Sequence, residues 1–145
     1  MPLTKRVLGI DYGSKRIGVA ISDPLNIIAR GVKVIPNSPH AFQDIKRLAL
    51  EYDVEVIVVG MPLNLKGEKG EKSNEVVTFI DELRNETRLD VVEWDERFTS
   101  HTAHETLRAM GAKKKQRQSK EKIDEMASAL ILQGYLDSRR RTDHY

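Results

Sequence analysis

The N-terminal third of the chain is a series of short apolar runs separated by turn-forming residues. Arg6–Asp11 is apolar up to its last residue, Tyr12-Gly13-Ser14-Lys15 has turn composition, and Arg16–Ser22 is rich in β-formers. Gly31–Ile35 is a third short strand, closed by Pro36. Connections this short predict antiparallel neighbours. The period then changes. Phe42, Ile45, Leu48 and Ala49 recur at helical spacing, and Val54–Gly60 is a β-branched run ended by Pro62. Val76, Val77, Ile80 and Leu83 form the inner stripe of a second helix, with Ser73 its expected N-cap. Val91–Trp94 is another strand, and two helices close the chain. The first is capped by Thr99 or Ser100, carries Ala103, Leu107 and Met110, and stops at Gly111. The last begins near Ser119, with Ile123, Ala127, Leu130, Ile131 and Gly134 on one stripe. Three antiparallel strands followed by alternating βα units predict an α/β fold: a mixed sheet with helices packed on it.

The 145 residues suit one domain of roughly 100–150 residues, with a core over about 6–137 and a basic polar tail at 138–145. The 24 Lys+Arg and 22 Asp+Glu leave a formal charge of only +2, so net charge alone forces no nucleic-acid binding. The absence of Cys excludes disulfide frameworks, thiol nucleophiles and Cys-ligated zinc. The longest apolar run, Val56–Leu63, is far short of a membrane span. The first apolar stretch ends at Asp11 after four residues, too short for a secretory signal. The cytoplasm is the default location. Phosphate-loop, dinucleotide and nucleophile-elbow motifs do not occur. His101 and His104 read as surface residues rather than zinc ligands.

Four carboxylates stand where ionised groups are costly unless paired or solvated. Asp11 ends an apolar strand, Asp95 and Glu96 end another, and Asp124 lies at helical spacing from Ala127, Ser128 and Ile131. Strand ends in α/β sheets gather at one edge, where ligands usually sit. A last helix crossing that edge brings acids from three segments together, a donor set that selects Mg²⁺ or Mn²⁺. Each acid also has a plainer role: Asp11 in a turn, Asp95 and Glu96 in a rim salt bridge with Arg97 or Arg16, Asp124 favoured by its helix dipole. Segment 113–122 carries 6 Lys/Arg against 1 Glu, which reads either as a phosphate-contacting element or as a solvated link.

The segments Gly9-Ile-Asp-Tyr-Gly-Ser-Lys-Arg-Ile-Gly-Val-Ala-Ile-Ser-Asp23, Val59-Gly-Met-Pro-Leu-Asn64, Asp95-Glu-Arg-Phe-Thr99 and Ile123-Asp-Glu-Met-Ala-Ser-Ala-Leu-Ile-Leu-Gln-Gly-Tyr-Leu-Asp137 together closely resemble the YqgF (RuvX) family, whose members are named Holliday junction resolvases and pre-16S rRNA nucleases. The resemblance runs from about Arg6 to Asp137. It implies a ribonuclease H-like fold and a Mg²⁺- or Mn²⁺-dependent nuclease whose catalytic and metal-holding acids are Asp11, Glu96 and Asp124. Asp95 and Glu96 fall on opposite strand faces, so Glu96 is the expected ligand. The family's usual Leu-Thr-Thr is Phe98-Thr99-Ser100 here, and its Ala pair is Ala127-Ser128.

Lys15, Arg16, Arg97, Lys113, Lys114, Lys115 and Arg117 are the expected nucleic-acid contacts. Partners are an rRNA precursor or branched DNA, with ribosomal precursor particles in the first case and no membrane. The chain acts as a monomer or homodimer, and junction resolution requires the dimer. Two alternatives stand beside this reading. One is a non-catalytic ribosome-assembly factor. The other is an actin-like phosphotransferase, whose two-domain cleft this length does not supply.

Overall fold

The computed structural model describes residues 3, 5–64, 66–98 and 119–143. Strands β1 (Arg6–Tyr12), β2 (Arg16–Ser22) and β3 (Ala29–Pro36) form an antiparallel meander. Helix α1 (Ala41–Glu51), strand β4 (Val54–Met61), helix α2 (Glu71–Thr87) and strand β5 (Asp90–Asp95) follow, then a 3₁₀ turn at Glu96–Phe98 and helix α3 (Ser119–Asp143). The sheet order is β3-β2-β1-β4-β5, with β4 parallel to both β1 and β5. This is the mixed sheet that the periodicity predicts, and β2 keeps the same bounds. The predicted helix over 99–111 with its Thr99 or Ser100 cap, His101 and His104, and Lys113, Lys114, Lys115 and Arg117 lie outside the described residues.

Period-2 alternation sorts the strand residues between two cores. Leu8, Ile10, Ile17, Val19, Ile21, Ile57 and Val59 pack with Ile45, Val76, Phe79, Ile80 and Leu83 beneath α1 and α2. Val7, Ala20, Val56 and Val58 pack beneath α3 with Ile131, Leu132, Tyr135 and Leu136. The α3 face of the sheet is lined by small residues, and α3 lies against β1, β2, β3 and β4.

Three expectations change. Ser73 does not cap α2, whose N-cap is Gly70; the Ser73 hydroxyl is buried and donates instead to the Pro62 carbonyl. The buried stripe of α3 is Ser128, Ile131, Leu132, Tyr135 and Leu136, turned slightly from the predicted one. Ala127–Leu132 supplies small or apolar residues at consecutive positions, and packing on the sheet selects among them. Helix α3 also continues through Arg139 and Arg140 to Asp143, over residues assigned to a tail.

The turns are fixed by side chains. Asn37 donates to the Gly13 carbonyl (2.8 Å), and its backbone N–H donates to the Lys15 carbonyl (3.0 Å), bracing the β1–β2 turn. Asp23 Oδ1 accepts the N–H groups of Ile27 and Ile28 at 2.7 and 2.9 Å across the β2–β3 turn. Buried Ser22 accepts from the Val7 N–H at 2.8 Å and donates to Asn26 Oδ1. Among the described residues no helix is long and apolar enough to cross a membrane.

Candidate active site

Asp11 lies near the C-terminal end of the central strand β1, opposite Gly18 of β2. Alternation puts it on the α3 face with Val7 and Gly9. Three glycines on that face leave room for what comes down on it. A Cβ on Gly9 would stand 2.7 Å from Leu132 Cβ, and one on Gly18 would collide with the backbone carbonyl of Asp124. One on Gly60 of β4 would meet Glu96 Cγ at 3.1 Å and Ile131 Cδ1 at 2.6 Å. Gly18 therefore seats the first turns of α3, and Gly60 seats the Glu96 side chain. Asp11 stands on the strand between them. Asp124 precedes Ser128, Ile131 and Tyr135 at helical spacing, so it belongs to the packing stripe, displaced toward the sheet edge.

This arrangement couples the three acids electrostatically. Burial pushes the Asp11 carboxyl from 3.8 up to about 7; the charges of Glu96 and Asp124 add to the rise, and Lys72 opposes it. Lys72 stands in the first turn of α2, and its effect on Asp11 was not readable in the sequence. The available signal was topological: α2 follows β4, and β4 pairs with β1.

Asp95 and Glu96 take different parts. Asp95 receives Arg97 Nε at 3.0 Å on both carboxylate oxygens, Arg97 Nη2 at 2.6 Å, and the Arg97 backbone N–H at 2.9 Å. The side-chain bond from Arg97 holds its carboxyl below the ordinary range. The rim salt bridge expected for this pair of acids is thus made by Asp95. The Arg97 guanidinium also lies against Gly67, whose φ of +82° and missing Cβ leave the loop room to pass it. Arg16, the first residue of β2, donates from Nε to Asp124 Oδ2 at 3.0 Å. Lys15 is exposed in the β1–β2 turn.

Three hard carboxylates that feel one another's charge, with Asp11 raised mainly by burial, fit a divalent cation in donor chemistry. As the side chains stand, no three His, Cys, Asp or Glu among the described residues are grouped to hold one. Among the described residues, a cavity of about 720 Å³ is lined by residues including Arg84, Arg88 and Arg139, and another of about 610 Å³ by residues including Arg6, Arg30 and Tyr52; neither lining includes an acid of this set.

Comparison with known proteins agrees with this architecture. The family model described as RuvX, Holliday junction resolvase, matches residues 5–138. A protein of Ruminiclostridium cellulolyticum named "Putative pre-16S rRNA nuclease" is 42% identical over 137 residues, covering 91% of this chain and 94% of the relative. One of the same name from Acetivibrio thermocellus is 43% identical over 140 residues, covering 92% and 96%. Among solved structures, Thermus thermophilus RuvC in complex with a Holliday junction substrate superposes with a TM-score of 0.60 at 15% identity, covering 95% and 97% of the two chains. The fowlpox virus Holliday junction resolvase gives 0.51 at 16% identity, covering 92% and 99%. At these identities the likeness is one of fold, the ribonuclease H-like sheet of the resolvases.

Proposed function

Since the chain belongs to the RuvX family, we propose that it is a divalent-metal-dependent nuclease that hydrolyses phosphodiester bonds in structured nucleic acid, acting in 5′-end maturation of the 16S rRNA precursor. The observation that supports the reading is geometric: Gly18 seats the backbone of Asp124 on β2 and Gly60 seats the Glu96 side chain on β4, the strands on either side of the one that carries Asp11. Asp11, Glu96 and Asp124 would hold Mg²⁺ or Mn²⁺. The chemistry such an ion supplies when bound is Lewis-acid stabilisation of charge on a phosphodiester undergoing hydrolysis.

The other parts belong to this chain's cations. Lys72 and Arg16 bring positive charge to the acid edge, where a phosphate would sit. Arg97, held by Asp95 against Gly67, presents a guanidinium with little freedom left to lose. Lys15 reaches from the β1–β2 turn. In the sequence, Lys113, Lys114, Lys115 and Arg117 immediately precede α3, and they enter the proposal as contacts to the nucleic-acid backbone.

A second reading, cleavage of four-way DNA junctions, is favoured by the description of the matching family model. It requires paired active sites and so a symmetric dimer.

One experiment tests both readings. A labelled 16S rRNA precursor fragment and a labelled four-way junction are incubated with the protein in Mn²⁺, Mg²⁺ or EDTA, with Asp11→Asn as control. Metal-dependent cutting of the precursor, lost in Asp11→Asn, is expected. Preferential cutting of the junction transfers the function to the second reading. Full cleavage by Asp11→Asn refutes the assigned site.

A further inference from the structure

The bond from Arg16 Nε to Asp124 Oδ2, at 3.0 Å, joins residues 108 positions apart in the chain. It involves one of the three acids of the candidate site. Arg16 and Gly18 are two residues apart on β2 and face the same way, and Gly18 touches the backbone of Asp124. The start of α3 is therefore pinned to the strand that carries Arg16. Any exchange of partner by Asp124 must come from side-chain rotation, with the helix staying in place. The pair can open: the side chains of Arg16 and Asp124 are 38% and 27% exposed, and a part-exposed ion pair of this kind is weak. It also conflicts with the proposed function as it stands. A divalent cation held by Asp124 would have a guanidinium at hydrogen-bond distance from its own ligand.

We propose that Arg16 is a built-in counter-ion of the metal site, holding Asp124 until a divalent cation displaces it and competing with that cation for the carboxylate. This rests on the metal-dependent reading given above. It makes Arg16 a positioning residue in the metal-free protein. Once displaced, its planar fork of donors is free to receive a phosphate, a ligand it matches better than lysine would. Metal loading and substrate binding are then linked through one side chain: the cation that completes the acid set releases the cation that meets the nucleic acid.

The test reads metal affinity, not cleavage. Mn²⁺ binding is measured calorimetrically for the full chain and for Arg16→Ala, Asp124→Asn and the double variant, with circular dichroism confirming the fold of each. Arg16→Ala is expected to bind Mn²⁺ about 5-fold more tightly, the upper end for a part-exposed pair. In the Asp124→Asn background the same substitution should have no such effect, since the competition is for that carboxylate. In the unsubstituted protein, the Arg16 Nε–H resonance should move when diamagnetic Mg²⁺ is added. Equal or weaker Mn²⁺ binding by Arg16→Ala, with the unsubstituted protein binding normally, overturns the proposal and leaves the nuclease reading standing. Equal tightening in both backgrounds also overturns it, because the effect is then general charge. If no variant binds Mn²⁺, the metal-dependent reading itself fails and takes this one with it.

Discussion

The raised Asp11 carboxyl makes the stability of the metal-free protein depend on pH in an unusual direction. Unfolded, this group titrates near 3.8; folded, it titrates at about 7. Between those values the native state holds a proton that the unfolded state has released. Stability therefore falls as pH rises through the window, and the loss is complete above about 7. The displacement corresponds to roughly 4 kcal/mol, and solvent reaching the partly exposed carboxylate trims the expected loss to about 2–4 kcal/mol. Asp11→Asn removes the charge and keeps the shape. In EDTA, its melting temperature should match that of the unsubstituted protein near pH 4 and exceed it by on the order of 8 °C at pH 8, at a few degrees per kcal/mol. Comparing the two proteins cancels the histidines and every other titrating group they share. Mn²⁺ at pH 8 should restore the melting temperature of the unsubstituted protein and leave Asp11→Asn unmoved. A difference between the two proteins that stays constant from pH 4 to pH 8 would refute the reasoning, because Asp11 would then carry no displaced proton.

Three further outcomes follow from the geometry. Gly18→Ala drives a Cβ into the Asp124 carbonyl, which is backbone and cannot rotate aside; a loss of about 1–3 kcal/mol in urea unfolding is expected, together with weakened Mn²⁺ binding. Ser22→Ala leaves the Val7 N–H buried without its acceptor and should cost about 1–3 kcal/mol by the same assay. Asp95→Asn releases Arg97 from its ion pair with that carboxylate yet should change Mn²⁺ affinity less than about fivefold, the pair being weak, whereas Glu96→Gln, which removes a proposed ligand, should weaken binding by clearly more than that.

The strands were legible because turn residues bracket them: Tyr12–Lys15 on one side and Asp23-Pro24 on the other leave Arg16–Ser22 little choice of register. The direction of each strand was legible from connection length. Asp11, Asp95, Glu96 and Asp124 stood out because apolar neighbours make a carboxylate costly; the alternation used to choose Glu96 over Asp95 does not extend that far, since β5 ends at Asp95 and Glu96 opens a 3₁₀ turn. What could not be read was set by contacts through space. The run Ala127–Leu132 offers more than one apolar stripe, and the glycines of the sheet, not the helix itself, decide which one is buried. Ser73 has the right chemistry for a cap, but its hydroxyl is used by Pro62 on the preceding connection. Lys72 reaches the field of Asp11 only because β4 delivers α2 beside β1.

Helix α3 covers one face of the sheet and also carries Asp124, the third acid of the proposed site. Ribosomal synthesis runs from the N-terminus, so a growing chain has Asp11 and Glu96, all five strands and both helices of the opposite face before Asp124 exists. Until α3 is made, Gly9, Gly18 and Gly31 face solvent, the second core has no partner layer, and the acid set is one member short. The helix that follows the five strands thus finishes the second core and, on the proposed reading, brings the third acid to the site in the same event.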